Sequence, residues 1–339
     1  MDQNLIPKVT VLLPVYNGAE FLKEAIQSIL NQTFKDFEFL IIDDASTDES
    51  SKIILSFQDN RIIFIQNDEN LGLIATLNKG IFSSRGKYIA RMDQDDIAYN
   101  TRIENQINFL EKNEDYGIVG TNFKIINSNV IKKYPLEHEG IKFSMLFYSP
   151  FLHPSVLIRK SIIIENNLKF DDEFQYAEDY QFWTQLVFLC KLKNIDQVLM
   201  EYRIHDNQIS SKYTQKQIKI NFKIQKEYLL KAGFIFSDEE VIILSQLNNT
   251  QLNNLNFDVS KMNLINSLLT QNKILFFFDE SILNVFLMKI FKNLVLDCKF
   301  LKKSEWNKIK NNKLYDQINW TVRQRLNIHF KRLKIIFNK

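Results

Sequence analysis

Four apolar, strand-forming runs alternate with helical segments over the first hundred residues, and this alternation limits the possible folds more than any other feature. Residues 9–13 are apolar, rich in Val and stopped by Pro14; residues 37–42, 62–65 and 88–92 repeat the pattern. Phe21, Leu22, Ala25, Ile26, Ile29 and Leu30 fall at helical spacing, which predicts an amphipathic helix over residues 19–31. Ser46 and Glu49 match a capping box, with Ser46 as N-cap of a helix running to about residue 58. A third helix is expected over residues 74–83, after the turn at Asn70, Leu71 and Gly72. The pattern predicts an α/β fold with a mainly parallel sheet covered on both faces. In such sheets ligands bind beyond the carboxyl ends of the strands.

Polar clusters stand at three of those ends. Pro14, Val15, Tyr16 and Asn17 follow the first strand, Asp43 and Asp44 close the second, and Asp93, Gln94, Asp95 and Asp96 follow the fourth. On an extended backbone, side chains at i and i+2 point the same way, so Asp93 and Asp95 converge while Asp96 is turned aside or lies in the next loop. Two like charges held close call for a cation, and hard carboxylate oxygens suit Mg²⁺ or Mn²⁺. Taken alone, the acidic run reads equally as a solvated loop. Three polar clusters on one rim favour a nucleotide-sized site. Only eight glycines occur, none in a G-x-G-x-x-G or G-x-x-x-x-G-K-[ST] pattern, which argues against a dinucleotide-binding dehydrogenase and a P-loop enzyme. Phosphates bound here would need a metal to neutralise them.

Further on, residues 102–112 are expected to be helical and 118–126 extended, with 151–158 a loop entering another strand. Glu178 and Asp179 open a helix, where acids are also favoured simply by the backbone dipole. A compact polar cluster, Glu201, Tyr202, Arg203, Ile204 and His205, closes this region; a lone His is more often structural than a ligand.

In this order the pieces resemble the family 2 glycosyltransferases, inverting enzymes of the GT-A fold that use nucleotide-sugar donors. The resemblance spans roughly residues 8–211. It rests on residues 11–17, 43–48, 70–72 and 86–96, then His153, Pro154 and Ser155, the Glu178–Asp179 pair, and residues 202–205. It implies that Pro14, Val15, Tyr16 and Asn17 lie at the nucleotide, with Tyr16 and the 14–16 backbone lining the base pocket. Asp44 would accept an N–H of the base, which for uracil is N3–H. Asp93 would bind the ribose hydroxyls and adjoin the metal that Asp95 ligates. Asp96 would orient its neighbours or the donor sugar. His205 and Arg203 would partner the metal or diphosphate, and Arg91 and Lys87 would be structural or diphosphate-facing. Asp179 would be the general base, with Glu178 the alternative. Ala45 replaces the glycine of the usual D-D-G-S-T-D, a departure that bears on turn geometry.

The resemblance thus implies a metal-dependent transferase, using Mn²⁺ or Mg²⁺, that carries a sugar from a UDP-type donor to a surface glycan or lipid-linked glycan. Competing readings are a nucleotidyl- or phosphotransferase and a non-catalytic glycan-binding protein. The first lacks a glycine-rich, arginine-bearing loop after the first strand; the second is disfavoured by the intact acidic groups. The length suggests two domains, expected at 1–211 (donor part about 8–100, acceptor part about 101–211) and 212–339, the latter helical. Two distant cysteines and no secretory leader point to the cytoplasm. Residues 300–339 carry a net charge of +9 against −6 for the rest. There Ile318, Val322, Leu326, Phe330, Leu333 and Phe337 form one helical stripe flanked by basic residues. Residues 315–339 are therefore either an element for an anionic membrane surface, on the inner face of the cell membrane, or a stripe packed on the protein. No nucleic-acid-binding motif accompanies the basic residues.

Overall fold

A computed structural model of the protein describes residues 6–205, 208, 213–247 and 259–297, with single residues 307, 310 and 315. The tail helix expected over 315–339 lies outside the described residues apart from Tyr315. The chain forms two compact units, residues 1–224 and 225–339.

The first unit begins with the expected alternation. β1 (Val9–Val15), β2 (Phe37–Asp43), β3 (Ile62–Gln66) and β4 (Tyr88–Arg91) are connected by α1 (Ala19–Leu30), α2 (Ser50–Leu55) and α3 (Leu73–Ser83). β1 pairs in parallel with β2 on one side and β4 on the other, and β2 with β3. β1 and β2 are buried along their whole length, which is why they read as nearly continuous apolar runs rather than alternating ones, the buried Glu38 of β2 being met by the Thr10 hydroxyl at 2.6 Å. α1 covers them with Leu22, Ala25, Ile26 and Ile29, at the i, i+3, i+4, i+7 spacing of one helical face. Burial of Leu22, Ile26 and Ile29 contributes about 1.5–3 kcal/mol each, and the methyl of Ala25 less. Gly86, just before β4, lies so close to β1 that a Cβ would stand 2.4 Å from the Thr10 nitrogen, so only glycine admits the strand there.

Beyond β4 the sheet becomes mixed. β5 (Ile97–Ala98), α4 (Arg102–Lys112), β6 (Tyr116–Ile125), β7 (Ile131–Lys132), α5 (His138–Ser144), β8 (Leu157–Arg159), α6 (Lys160–Glu165), α7 (Glu178–Leu186) and β9 (Lys191–Tyr202) follow. The strand order is β3-β2-β1-β4-β8-β6-β9-β5, with β7 paired to β6. β8 runs antiparallel to β4 and β6, and β5 antiparallel to β9, while β6 and β9 are parallel. The segment read as a loop entering a strand contains a 3₁₀ turn, His153–Ser155, before β8.

One expectation is corrected. Ser46 and Glu49 form no capping box, and α2 starts only at Ser50 and ends at Leu55. Ser46 Oγ instead accepts the Asn17 N–H at 2.9 Å, and Glu49 pairs with Lys52. The parallel pairing of β1 and β2 lays their exit loops side by side, and the β2–α2 loop shares its polar groups between its own helix and the start of α1.

The helical expectation for residues 212–339 is met among the described residues by α8 (Thr214–Lys231), α9 (Asp238–Gln246), α10 (Val259–Leu275) and α11 (Glu280–Asp297). α9 has a true capping box between Ser237 and Glu240. No described helix is long and apolar enough to cross a membrane.

Candidate active site

The exits of β1, β2 and β4 form one rim. Pro14 and Val15 end β1 and are buried, while Tyr16 is 46% exposed beyond it. Asn17 has φ +49°, a left-handed conformation that Asn tolerates, and its Oδ1 accepts the Thr47 N–H at 2.8 Å. Asp43 is fully buried and turned from the rim, accepting from Ser46 N at 3.1 Å and Gln66 Nε2 at 3.3 Å. Asp44 accepts three hydrogen bonds: from Asn67 Nδ2 at 2.7 Å, Leu71 N at 2.9 Å and Gly72 N at 2.8 Å. An ionised carboxylate has about four acceptor directions, so about one remains for a ligand. Lys79 Nζ on Asn67 Oδ1 at 2.6 Å fixes which way that amide faces.

The acidic loop converges more fully than an extended strand allows. β4 ends at Arg91 and the chain turns, so Asp96 is not turned aside. Asp93, Asp95 and Asp96 each bring a carboxylate oxygen within 4.8 Å of the others. Asp93 pairs with Arg91 Nη2 at 2.6 Å. Asp95 lies 2.8 Å from His205 Nε2. Asp96 is fully buried; its Oδ1 accepts the Arg203 N–H at 2.9 Å, and among the described residues its Oδ2 has no hydrogen-bond partner. Desolvation, opposed by Arg91 and reinforced by Asp95, pushes the Asp93 carboxyl up; burial and both neighbouring acids push Asp96 well up. Clustered hard oxygens, one of them buried and orphaned, fit a divalent cation of the Mg²⁺ or Mn²⁺ type.

Arg203 staples this loop to α1. Its Nε donates to Asp95 O at 2.8 Å and its Nη2 to Glu24 Oε2 at 2.7 Å, with the guanidinium 4.3 Å from the Phe21 ring centre. Arg102, which the sequence marked only as the start of a helix, is fully buried beneath the loop. Its Nη1 donates to Arg91 O at 3.0 Å and to Pro154 O, tying β4 to the 153–155 turn.

Glu178 and Asp179 open α7. Glu178 is 7% exposed, and burial together with Asp179 raises its pKa to about 7. Burial also raises Asp179, against hydrogen bonds that include Ser149 Oγ at 3.2 Å. Asp93 raises Asp179 further, and Arg91 acts on Glu178, so the pair and the acidic loop share one electrostatic field. His153 lies edge-on to Trp183 at 5.8 Å, and burial and Arg91 hold its pKa well below the usual range, so it is neutral at pH 7. Tyr176 has φ +78°, strained for a bulky residue. Its ring stacks on Tyr213 at 4.2 Å and its carbonyl accepts from Gln217 Nε2 at 2.8 Å, which holds the turn into α7. No sequence pattern marked Asn67, Lys79, Arg102 or Tyr176, because each acts across elements far apart in the chain.

A sequence profile described as "Glycosyl transferase family 2" matches residues 10–166. An uncharacterized glycosyltransferase of Haemophilus influenzae is 35% identical over 248 residues, covering 67% of this chain and 76% of that protein. Among solved structures, Staphylococcus aureus TarS residues 1–349 in complex with UDP-GlcNAc aligns with TM-score 0.60 at 17% identity, over 94% of this chain and 92% of that one. The mannosyltransferase PcManGT of Pyrobaculum calidifontis in complex with GDP-Man and Mn²⁺ aligns with TM-score 0.52 at 15% identity, over 99% and 89%.

Proposed function

The chain belongs to glycosyl transferase family 2, and on that premise we propose that it moves a sugar, with inversion, from a UDP-linked donor to a hydroxyl of a surface or lipid-linked glycan. The observation that carries this reading is the convergence of Asp93, Asp95 and Asp96 on the rim, in one electrostatic field with Glu178 and Asp179. A donor diphosphate needs positive charge and an attacking hydroxyl needs a proton acceptor; the two acidic groups serve these two ends. The complexes of TarS with UDP-GlcNAc and of the mannosyltransferase with GDP-Man and Mn²⁺ support a nucleotide-sugar donor.

Tyr16 and the residues 14–17 line the base, Asp44 offers its remaining acceptor direction to a base N–H, and Asp93 binds the ribose. Asp95, with Asp93 and His205, would hold Mn²⁺ or Mg²⁺, which as a Lewis acid offsets the charge developing on the diphosphate. Arg91 and Asp96 keep the loop in shape. Asp179 takes the proton from the acceptor hydroxyl, a contribution of about 10²–10⁴-fold. The acceptor oxygen bonds to the anomeric carbon as the carbon–phosphate-oxygen bond breaks, and that bond's electron pair leaves on the diphosphate. Glu178, neutral below about pH 7, keeps a second full charge away from its neighbour. The basic tail, residues 315–339, docks on the anionic inner face of the membrane, where lipid-linked acceptors lie.

A thermal-shift screen of UDP- and GDP-sugars, with and without Mn²⁺, tests the reading. Stabilisation by one nucleotide sugar, deepened by Mn²⁺ and lost in Asp95→Ala, is the expected result. Asp179→Asn should bind the same donor yet lose turnover by at least about 10²-fold. A wild-type chain that responds to no nucleotide sugar would overturn it.

A further inference from the structure

We infer that Gln94, the residue between Asp93 and Asp95, is a positioning residue that locks the base side of the site to the carboxylate side. The donor role assigned to this rim above is taken as given. Gln94 pairs with both backbone polar groups of Tyr16: the Tyr16 N–H donates to Gln94 Oε1 at 2.9 Å, and Gln94 Nε2 donates to the Tyr16 carbonyl at 3.1 Å. Only one orientation of the amide satisfies both bonds. Among the described residues the backbone bonding between β1 and β4 stops where Met92 N–H meets the Leu12 carbonyl at 3.0 Å. The side chain of Gln94 adds the next rung beyond that point, joining the two loops directly where Arg203 joins the acidic loop only to the body of α1.

Gly18 supplies a second, independent observation. A Cβ there would stand 2.4 Å from Gln94 Oε1 and 2.5 Å from its Cδ. The Gly18 backbone, φ −103° and ψ 9°, is open to any residue, so what a side chain there would disturb is the Gln94 amide, which would have to leave its place on Tyr16. The turn into α1 is thus shaped around this glutamine. A nucleoside diphosphate bound through Tyr16 at its base and through the carboxylate loop at its phosphates spans both sides. It gains from engaging both only while their spacing is held.

The experiment measures the affinity of UDP and of GDP by calorimetry, each with Mn²⁺ and in EDTA, for the wild type and four variants. Gln94→Ala should cut the enhancement that Mn²⁺ gives by about tenfold, the scale of one or two hydrogen bonds, and leave affinity in EDTA within about twofold. Gly18→Ala should reproduce this by displacing the amide. The Gly18→Ala/Gln94→Ala double variant should be no worse than Gln94→Ala alone, because the clash has gone with the side chain. Gln94→Met, which keeps the length and removes both bonds, reads the same quantity should alanine unfold the loop. A merely structural loss would weaken binding equally with and without metal and overturn the inference. So would wild-type enhancement in Gln94→Ala or Gly18→Ala, or additive losses in the double variant. A wild type that binds neither nucleotide overturns the donor reading itself, a distinct result.

Discussion

Glu178 shows how one buried side chain records both stability and function. Its carboxyl is raised from 4.5 to about 7, so the folded chain binds this proton more tightly than the unfolded chain does. The stability it contributes is whole below pH 4.5 and is lost as pH rises through 7. Glu178→Gln stays neutral throughout. Urea unfolding at pH 4.5 and pH 7.5 should show the wild type losing on the order of 3 kcal/mol more than the variant across that window. Ala45 is a second local case. It stands at φ +57°, where the family pattern has glycine. An L-residue there costs about 1–2 kcal/mol, partly offset by alanine's smaller unfolded-state entropy. Ala45→Gly should therefore raise stability by roughly 0.5–1 kcal/mol, read from the denaturation midpoint, with donor binding unchanged.

At the scale of elements, the β2–α2 loop serves two helices: Asp48 Oδ1 accepts the Ser50 N–H at 2.9 Å at the start of α2, and the rest of the loop reaches α1. Asp48 Oδ2 accepts the Ala19 N–H at 3.0 Å and Ser50 Oγ accepts the Gly18 N–H at 2.9 Å, closing donors that a helix N-terminus leaves open. Burial works against the Asp48 charge, but hydrogen bonds from Ser50 and Ala19 outweigh it and hold the carboxyl below its ordinary range. Asp48→Ala should cost about 1 kcal/mol, as loss of an N-cap does, measured by chemical denaturation. The same change should loosen the turn at residues 16–18 and so weaken nucleotide binding; unchanged affinity would confine the role of Asp48 to stability.

For the whole molecule, the separation of charge gives a test of where it works. Attraction to anionic lipid amounts to about 1 kcal/mol per basic residue near the surface. A chain ending at residue 314 should bind phosphatidylserine vesicles at low salt at least tenfold more weakly than the full chain; equal binding would remove the membrane role of the tail. Much of the architecture was legible from one chain. Buried parallel strands are largely apolar and helices over them carry one apolar face, so β1 to β4 were legible as apolar runs and α1 and α4 as helical periodicities, whereas the start of α2, read from a capping box that does not form, was not. The acidic loop was legible as a cluster of acids at a strand end, equally readable as a solvated loop; the burial of Asp96 and its convergence with Asp93 and Asp95 were not. Pairings across the sheet were not legible. The capping of α1 by Asp48 and Ser50, the seat of Arg102 beneath Arg91, the closing of Asp44 by Asn67 and residues 71–72, and the rung from Gln94 to Tyr16 all join groups at least 11 positions apart. Local pattern settles which segments are strands and helices, since those depend on neighbours within a turn or two. Which polar group meets which is settled only when the strands are laid side by side, since hydrogen bonds depend on tenths of an ångström that no spacing in the sequence encodes.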